Sequence, residues 1–307
     1  MRALLSELIA GSAEEDPGTI VLSGDHGYAL FDAVRKRRPA QFVNVGVAEQ
    51  GMVGLAAGLA RVGFRPIVYG LAAFVPMRVL EQIKIDVCFS RLPVVFLGDG
   101  AGLVYSTLGA SHQCAEDVAC LRPLPHIGIF SPCDAEELKI CYREAMTSSL
   151  PSYIRIGKSD RPVVNVGKLA STRPYFVRRG PDRKACLVAT GSMVSPCAAI
   201  AEKLGISCLS VPKIKPLDAG ILKTLAPFRS AVVVEEHSAH GGLASALLER
   251  TAENGAPKRI PLIRSLSLAD RFSELCGSYQ FALSEHALDD ASLLRRVSAA
   301  VKAARAK

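Results

Sequence analysis

The chain has 307 residues, 49% of them hydrophobic, which is enough for about two packed domains and excludes wholesale disorder. Its net charge of +8 would permit nucleic-acid binding, but the densest basic run, Arg35-Lys36-Arg37-Arg38, has no interleaved aromatics to stack bases. A solvated helix end fits that run best, with attraction of anionic substrates or cofactor phosphates second.

The first ten residues predict an amphipathic helix, not a signal peptide, because Glu7 interrupts the apolar stretch and Glu14, Glu15 and Asp16 follow it. Strands are expected at 19–22, 41–45, 65–69, 93–97, 126–130 and 152–156. Helices are expected at 51–61, 74–89, from 116 to 121, and at 134–147, the last capped by Asp134. Residues 157–182 hold Pro162, Pro174 and Pro181, many arginines and little periodicity, and read as an interdomain connector. A second alternating unit follows, with strands at 185–190, 207–211 and 231–235 and helices over 191–204, 218–225 and 242–250. This alternation predicts an α/β protein of two domains, each a mostly parallel sheet with helices on both faces: 1–160, a linker 161–183, and 184–307. No apolar run reaches the roughly 18 residues of a membrane span.

Nine cysteines lie at 88, 114, 120, 133, 141, 186, 197, 208 and 276, with no Cys-x-x-Cys pair and no zinc-spaced cluster. Their odd number, without a signal sequence, predicts a reducing cytoplasmic setting, with most thiols acting as small buried hydrophobes. His237 and His240, with Glu235 and Glu236, could suggest a metal. A turn lacking further ligands favours interface or helix-start roles instead.

The most informative stretch is Phe42-Val-Asn-Val-Gly-Val-Ala-Glu-Gln50, which places Glu49 between an apolar strand and a glycine-studded helix. A carboxylate entering apolar structure costs several kcal/mol unless partnered or protonated. It can be a functional acid or simply a favourable charge at a helix start.

Asn44-Val-Gly-Val-Ala-Glu-Gln50, Gly54-Leu-Ala-Ala-Gly-Leu-Ala60, Gly109-Ala-Ser-His-Gln113 with Glu116-Asp117, and Ala189-Thr-Gly-Ser192 occur in the order and spacing of one family. On these motifs the chain resembles the transketolase family: residues 19–160 its pyrimidine-binding domain, and 184–300 its C-terminal domain. The resemblance implies thiamine diphosphate as cofactor. Glu49 would bond the aminopyrimidine and favour the tautomer that activates the thiazolium carbon, and a two-carbon ketol unit would pass from a ketose to an aldehyde. It implies Phe74 as the ring that stacks on the pyrimidine, with Leu71 where relatives often carry a second aromatic. Asp25 would contact cofactor or substrate and His26 a substrate hydroxyl. His112 would face the reacting carbonyl, and Lys158 would grip phosphate with help from Arg155. Leu108 stands where the family commonly has a sugar-binding acid, which implies a less polar pocket or a different sugar.

The family's diphosphate- and metal-binding domain has no counterpart in this sequence. Gly98-Asp99-Gly100 imitates its motif, but Asn occurs only at 44, 165 and 254, so no Asn follows at the required distance and a strand-end turn is expected. The resemblance therefore implies the C-terminal subunit of a split transketolase. A partner would hold the diphosphate and Mg2+ or Ca2+, in an α2β2 assembly around a dimer of this chain, acting on sugars or sugar phosphates, with neither nucleic acid nor membrane as partner. Two alternatives stay open: the β subunit of a 2-oxoacid dehydrogenase, and a non-catalytic paralogue.

Overall fold

A computed structural model of the chain describes residues 1–158, 160–165, 167–253, 257 and 259–306. Its strands are β1 (Thr19–Ser23), β2 (Phe42–Asn44), β3 (Arg65–Leu71), β4 (Val95–Asp99), β5 (Gly128–Phe130), β6 (Ser152–Ile156), β7 (Tyr175–Arg178), β8 (Asp182–Ala189), β9 (Ile206–Ser210), β10 (Lys213–Lys215), β11 (Ser230–Ser238) and β12 (Leu262–Leu268). Its α-helices are α1 (Arg2–Glu15), α2 (Asp32–Arg37), α3 (Glu49–Arg61), α4 (Leu80–Gln82), α5 (Asp117–Leu121), α6 (Ala135–Thr147), α7 (Val194–Leu204), α8 (Ile221–Leu225), α9 (Leu243–Ala252), α10 (Tyr279–Glu285) and α11 (Asp290–Ala306).

The strands form two sheets, ordered β10-β5-β6-β4-β3-β1-β2 and β12-β11-β8-β9-β7. All neighbours pair parallel except β10 with β5 and β7 with β9. Parallel strands covered on both faces must be apolar on both faces, and successive residues accordingly enter different cores. Leu22, Val68 and Phe96 pack under α3 with Met52, Val53 and Ala56, while Val21, Ile67 and Val95 pack under α1 and α6 with Leu5, Ile9 and Leu138. In the second sheet Leu187 and Ala189 face α7 and α11, and Cys186 and Val188 face α8 and α9. Seven of the nine cysteines are buried and none forms a disulfide.

The α/β architecture expected from the alternation, two mostly parallel sheets each with helices on both faces, is present, and Asp134 caps α6 by accepting from Glu136 N and Glu137 N, each at 3.1 Å. Two expectations need correction, and one strand was not expected at all. Residues 74–89 do not form one helix: Pro76 has no N–H to donate and restricts Val75. The chain instead turns through a short 3-10 segment, Met77–Val79, before α4 and a π-helical turn, Ile83–Cys88. The stretch 157–182, read as an interdomain connector, carries β7 on the edge of the second sheet. After β9 the chain returns to the first sheet as β10, so the two sheets are tied together at that edge.

Candidate active site

Parallel strands of the first sheet send their carboxyl ends to one edge, where crevices form between the following loops. Asp25 and His26 follow β1, Asn44 ends β2, Leu71 ends β3, and the loop carrying Leu108 and His112 follows β4. Gly46, with φ +72°, turns the chain from β2 into α3, and its N–H donates to Asn44 Oδ1 at 3.0 Å. The same oxygen accepts from Asp25 N at 3.1 Å, and Asn44 Nδ2 donates to Asp25 Oδ1 at 3.2 Å. Asn44 thus fixes the Asp25 loop against the start of α3.

Glu49 is the first residue of α3 and only 3% exposed. Its Oε1 accepts from Arg78 Nη1 at 2.8 Å and lies 3.8 Å from His26 Nε2. Burial pushes the carboxyl up, but the backbone N–H at the helix start, the Arg78 hydrogen bond and the charges of Arg78 and His26 outweigh it. Glu49 is held below the usual carboxylate value.

Phe74, half-buried, collects the rest of the group. The Arg78 guanidinium lies over its ring at 4.2 Å, the His26 ring is 5.7 Å away and the His112 ring meets it edge-on at 5.5 Å. His26 Nε2 is buried with no hydrogen-bond partner, so this crevice has an unused polar atom aimed beside Glu49. His112 Nδ1 lies 3.0 Å from Ser111 Oγ. The structure therefore brings Glu49, His26, Phe74 and His112 together, with Asp25 on the adjoining loop. Leu71 supports this group through its backbone, its carbonyl accepting from Phe74 N and Val75 N, both at 2.8 Å. Leu108 ends a 3-10 turn and is 53% exposed.

The cations are arranged differently from expectation. Arg155 is 3% exposed, its Nε donates to both carboxylate oxygens of Asp117 at 3.0 and 2.9 Å, and its Nη2 donates to Glu236 O at 2.7 Å. A guanidinium committed to the interior in this way cannot be a free phosphate grip, so its expected role is replaced by one that joins the two halves of the chain. Lys158 pairs with Asp160 at 3.0 Å and approaches the Tyr279 ring at 5.5 Å. It also lines a cavity of about 100 Å3 with Arg2, Asp99 and Tyr105.

Arg2 and Arg78 were not anticipated. Arg2 donates to Asp99 Oδ2 at 3.1 Å and to Tyr28 O at 3.0 Å, bridging the end of β4 and the loop that carries His26. Neither arginine carries a sequence signal, because its partners are brought to it by the fold.

The Gly98-Asp99-Gly100 turn has internal reasons for its composition. Asp99 accepts from Tyr69 OH at 2.6 Å, and a Cβ on Gly100, at φ +76°, would sit 1.9 Å from the Tyr105 ring. Glu235 accepts from Leu243 N and Ala244 N at 2.7 and 3.0 Å and so starts α9. Glu236 accepts from Leu103 N at 2.7 Å, from Tyr279 OH at 2.5 Å and from Ser192 Oγ. His237 is buried against Ala119 N while His240 is exposed toward Asp270, so these two do not converge. Among the described residues no group of three or more His, Cys, Asp or Glu could hold a metal ion. A cavity of about 480 Å3 lies between residues 103–116 and 268–273, but none of the Glu49 group lines it. The chemistry of the side chains, not that cavity, marks the site.

Residues 1–163 match the family described as transketolase, pyrimidine binding domain, and residues 175–273 match transketolase, C-terminal domain. The chain belongs to the transketolase family. It is 32% identical over 269 residues to an apulose-4-phosphate transketolase subunit of Phocaeicola vulgatus, covering 84% of this chain and 86% of that one. It is 36% identical to 1-deoxy-D-xylulose-5-phosphate synthase of Cupriavidus taiwanensis over 85% of this chain, but spans only 41% of that protein. A solved structure of a split gene transketolase, described as an inactive beta4 tetramer, superposes with a TM-score of 0.86 at 29% identity, covering 98% of both chains. The chain is thus a C-terminal component of transketolase type, with a counterpart for the pyrimidine-binding and C-terminal domains of the family.

Proposed function

We propose that this chain is the C-terminal half of a two-subunit, thiamine-diphosphate-dependent transketolase, with residues 1–160 binding the pyrimidine and 184–307 forming the C-terminal domain, to which the stretch between them adds the edge strand β7. The observation that carries the reading is the Glu49 carboxylate, buried at the start of α3 and bonded to Arg78, whose guanidinium lies over the Phe74 ring, with His26 Nε2 3.8 Å away and without a hydrogen-bond partner. A flat aminopyrimidine needs an aromatic face, a fixed carboxylate acceptor and a dry wall, and these residues fit it. When bound, the cofactor supplies the nucleophilic carbon that breaks the ketose C2–C3 bond and carries the two-carbon unit.

In this reading Glu49 accepts a hydrogen bond from the protonated ring nitrogen, Phe74 fixes the ring plane, and Leu71 and Asp25 bound the ring's surroundings. His112 donates to the substrate carbonyl oxygen as negative charge develops, and His26 binds a substrate hydroxyl. Lys158 with Arg2 receives an anionic substrate end as point charge and fork respectively. Leu108 makes the lip of the crevice less polar.

The partner would be an N-terminal subunit holding the diphosphate and Mg2+ or Ca2+, two of each chain assembling around a dimer of this one. The Phocaeicola vulgatus relative, itself one subunit of a transketolase, and the likeness to a split-gene transketolase support that division. Unpaired thiols suit a reducing compartment such as the cytoplasm. The test is to mix the two subunits with the cofactor and supply ketose donors with aldose acceptors, and in parallel a 2-oxoacid. Ketol transfer that requires both subunits is expected. Release of CO2 from the 2-oxoacid without ketol transfer would instead assign a decarboxylase.

A further inference from the structure

Arg78 makes, within this chain, the two contacts that the proposed cofactor ring requires. Its Nη1 donates to Glu49 Oε1 at 2.8 Å and its guanidinium carbon lies 4.2 Å from the centre of the Phe74 ring. A guanidinium is planar, cationic and rich in N–H donors, so it offers an acid and an aromatic face what an aminopyrimidine protonated on its ring nitrogen offers them. Resting on the reading above, we propose that Arg78 is a stand-in for the pyrimidine in the cofactor-free chain, and that the ring enters by displacing it from Glu49 and Phe74.

Three observations support displacement over permanent residence. The pair is asymmetric: the Arg78 side chain is 44% exposed and Glu49 only 3%, so the arginine has an open path to water and the carboxylate has none. Oε1 is contested: His26 Nε2 lies 3.8 Å from it, buried and without a hydrogen-bond partner while Arg78 occupies the oxygen. Arg78 also sits on the short 3-10 turn Met77–Val79, and its own N–H is bonded locally to Phe74 O at 3.0 Å, so the side chain can leave without unfolding a longer helix. While the site waits, an ionised Glu49 without a cation would be a buried, uncompensated charge, and Arg78 removes that cost.

The experiment uses the complex of this chain with its diphosphate-binding partner, titrated with thiamine diphosphate and Mg2+ in a calorimeter. Arg78→Ala is expected to tighten cofactor binding about tenfold (~1.4 kcal/mol), whereas Glu49→Ala weakens it. Melting gives an independent readout on the same complex. Arg78→Ala lowers the melting temperature without cofactor, and the gap from the parent closes at saturation, because the contact it removes is absent from the loaded state. Arg78→Lys keeps the charge without the plane, should the alanine variant fold poorly, and is expected to give a smaller tightening. An unchanged or weaker affinity in both Arg78 variants, with Glu49→Ala still weakening it, would overturn the stand-in. Unchanged affinity in Glu49→Ala would overturn the pyrimidine half-site itself.

Discussion

At the scale of single residues, the site is governed by how a carboxylate is kept charged where water is scarce. Burial alone would raise the Glu49 pKa; a helix start, Arg78 and His26 bring it below its ordinary value. Because the folded value is depressed, the stabilisation from ionised Glu49 is full above its unfolded value and disappears as pH falls through the folded one. His112 has a different duty, since it touches the Phe74 ring edge and not Glu49. Replacing it by Ala in the mixed-subunit enzyme should lower kcat by roughly 10²-fold, while calorimetry finds cofactor affinity unchanged. A loss of cofactor binding instead would move His112 from the substrate to the cofactor. Glu49 stood out in the sequence as a carboxylate between an apolar strand and a helix, and His26, Phe74 and His112 were named through the family resemblance; the fold brings the four together. Arg2 and Arg78 were not legible there, because their importance lies in partners 97 and 29 positions away.

At the scale of elements, β6 shows what strand patterning can miss. All five residues of β6 are buried and the strand lies between β4 and β5, so an arginine at 155 has no water to reach and must be paired. That inference was available once 152–156 was read as an interior parallel strand, and it argues against the free phosphate grip expected there. Asp117 on α5 supplies the partner, and the Arg155 Nη2 bond to Glu236 O reaches β11 of the other sheet. Asp117→Ala leaves that guanidinium buried and uncompensated, and should cost about 3–5 kcal/mol in urea unfolding of the chain. A change under about 1 kcal/mol would place Arg155 in contact with solvent after all. The helix expected over 74–89 failed for a local reason, Pro76. The antiparallel β10 was missed for a global one, since nothing near residues 213–215 announces that they return to the first sheet.

At the scale of the whole molecule, the two sheets are locked by polar groups that have left water. His237 is among them: its Nε2 accepts from Ala119 N at 3.3 Å, and burial pushes its pKa below the ordinary 6.5. A proton on Nε2 would set donor against donor. The unfolded chain therefore binds more protons than the folded one as pH falls through about 6.5, and stability must fall with it. Urea midpoints should decline between about pH 7 and about pH 5, and His237→Gln should flatten part of that decline; His286, also depressed by burial, keeps the rest. An identical slope in the variant would show that His237 can be protonated within the fold. The broad architecture was legible because strand–helix alternation and two-faced apolar strands impose it; the way the halves hold one another was not, because it depends on pairs far apart in sequence.

The central claim is that one buried carboxylate of this chain drives an active site completed by another subunit. Steady-state ketol transfer by the mixed subunits carrying Glu49→Gln tests it most directly, with assembly checked by sedimentation. The account predicts an intact complex whose kcat falls by roughly 10²- to 10⁴-fold; an intact complex working at the parent rate would contradict it.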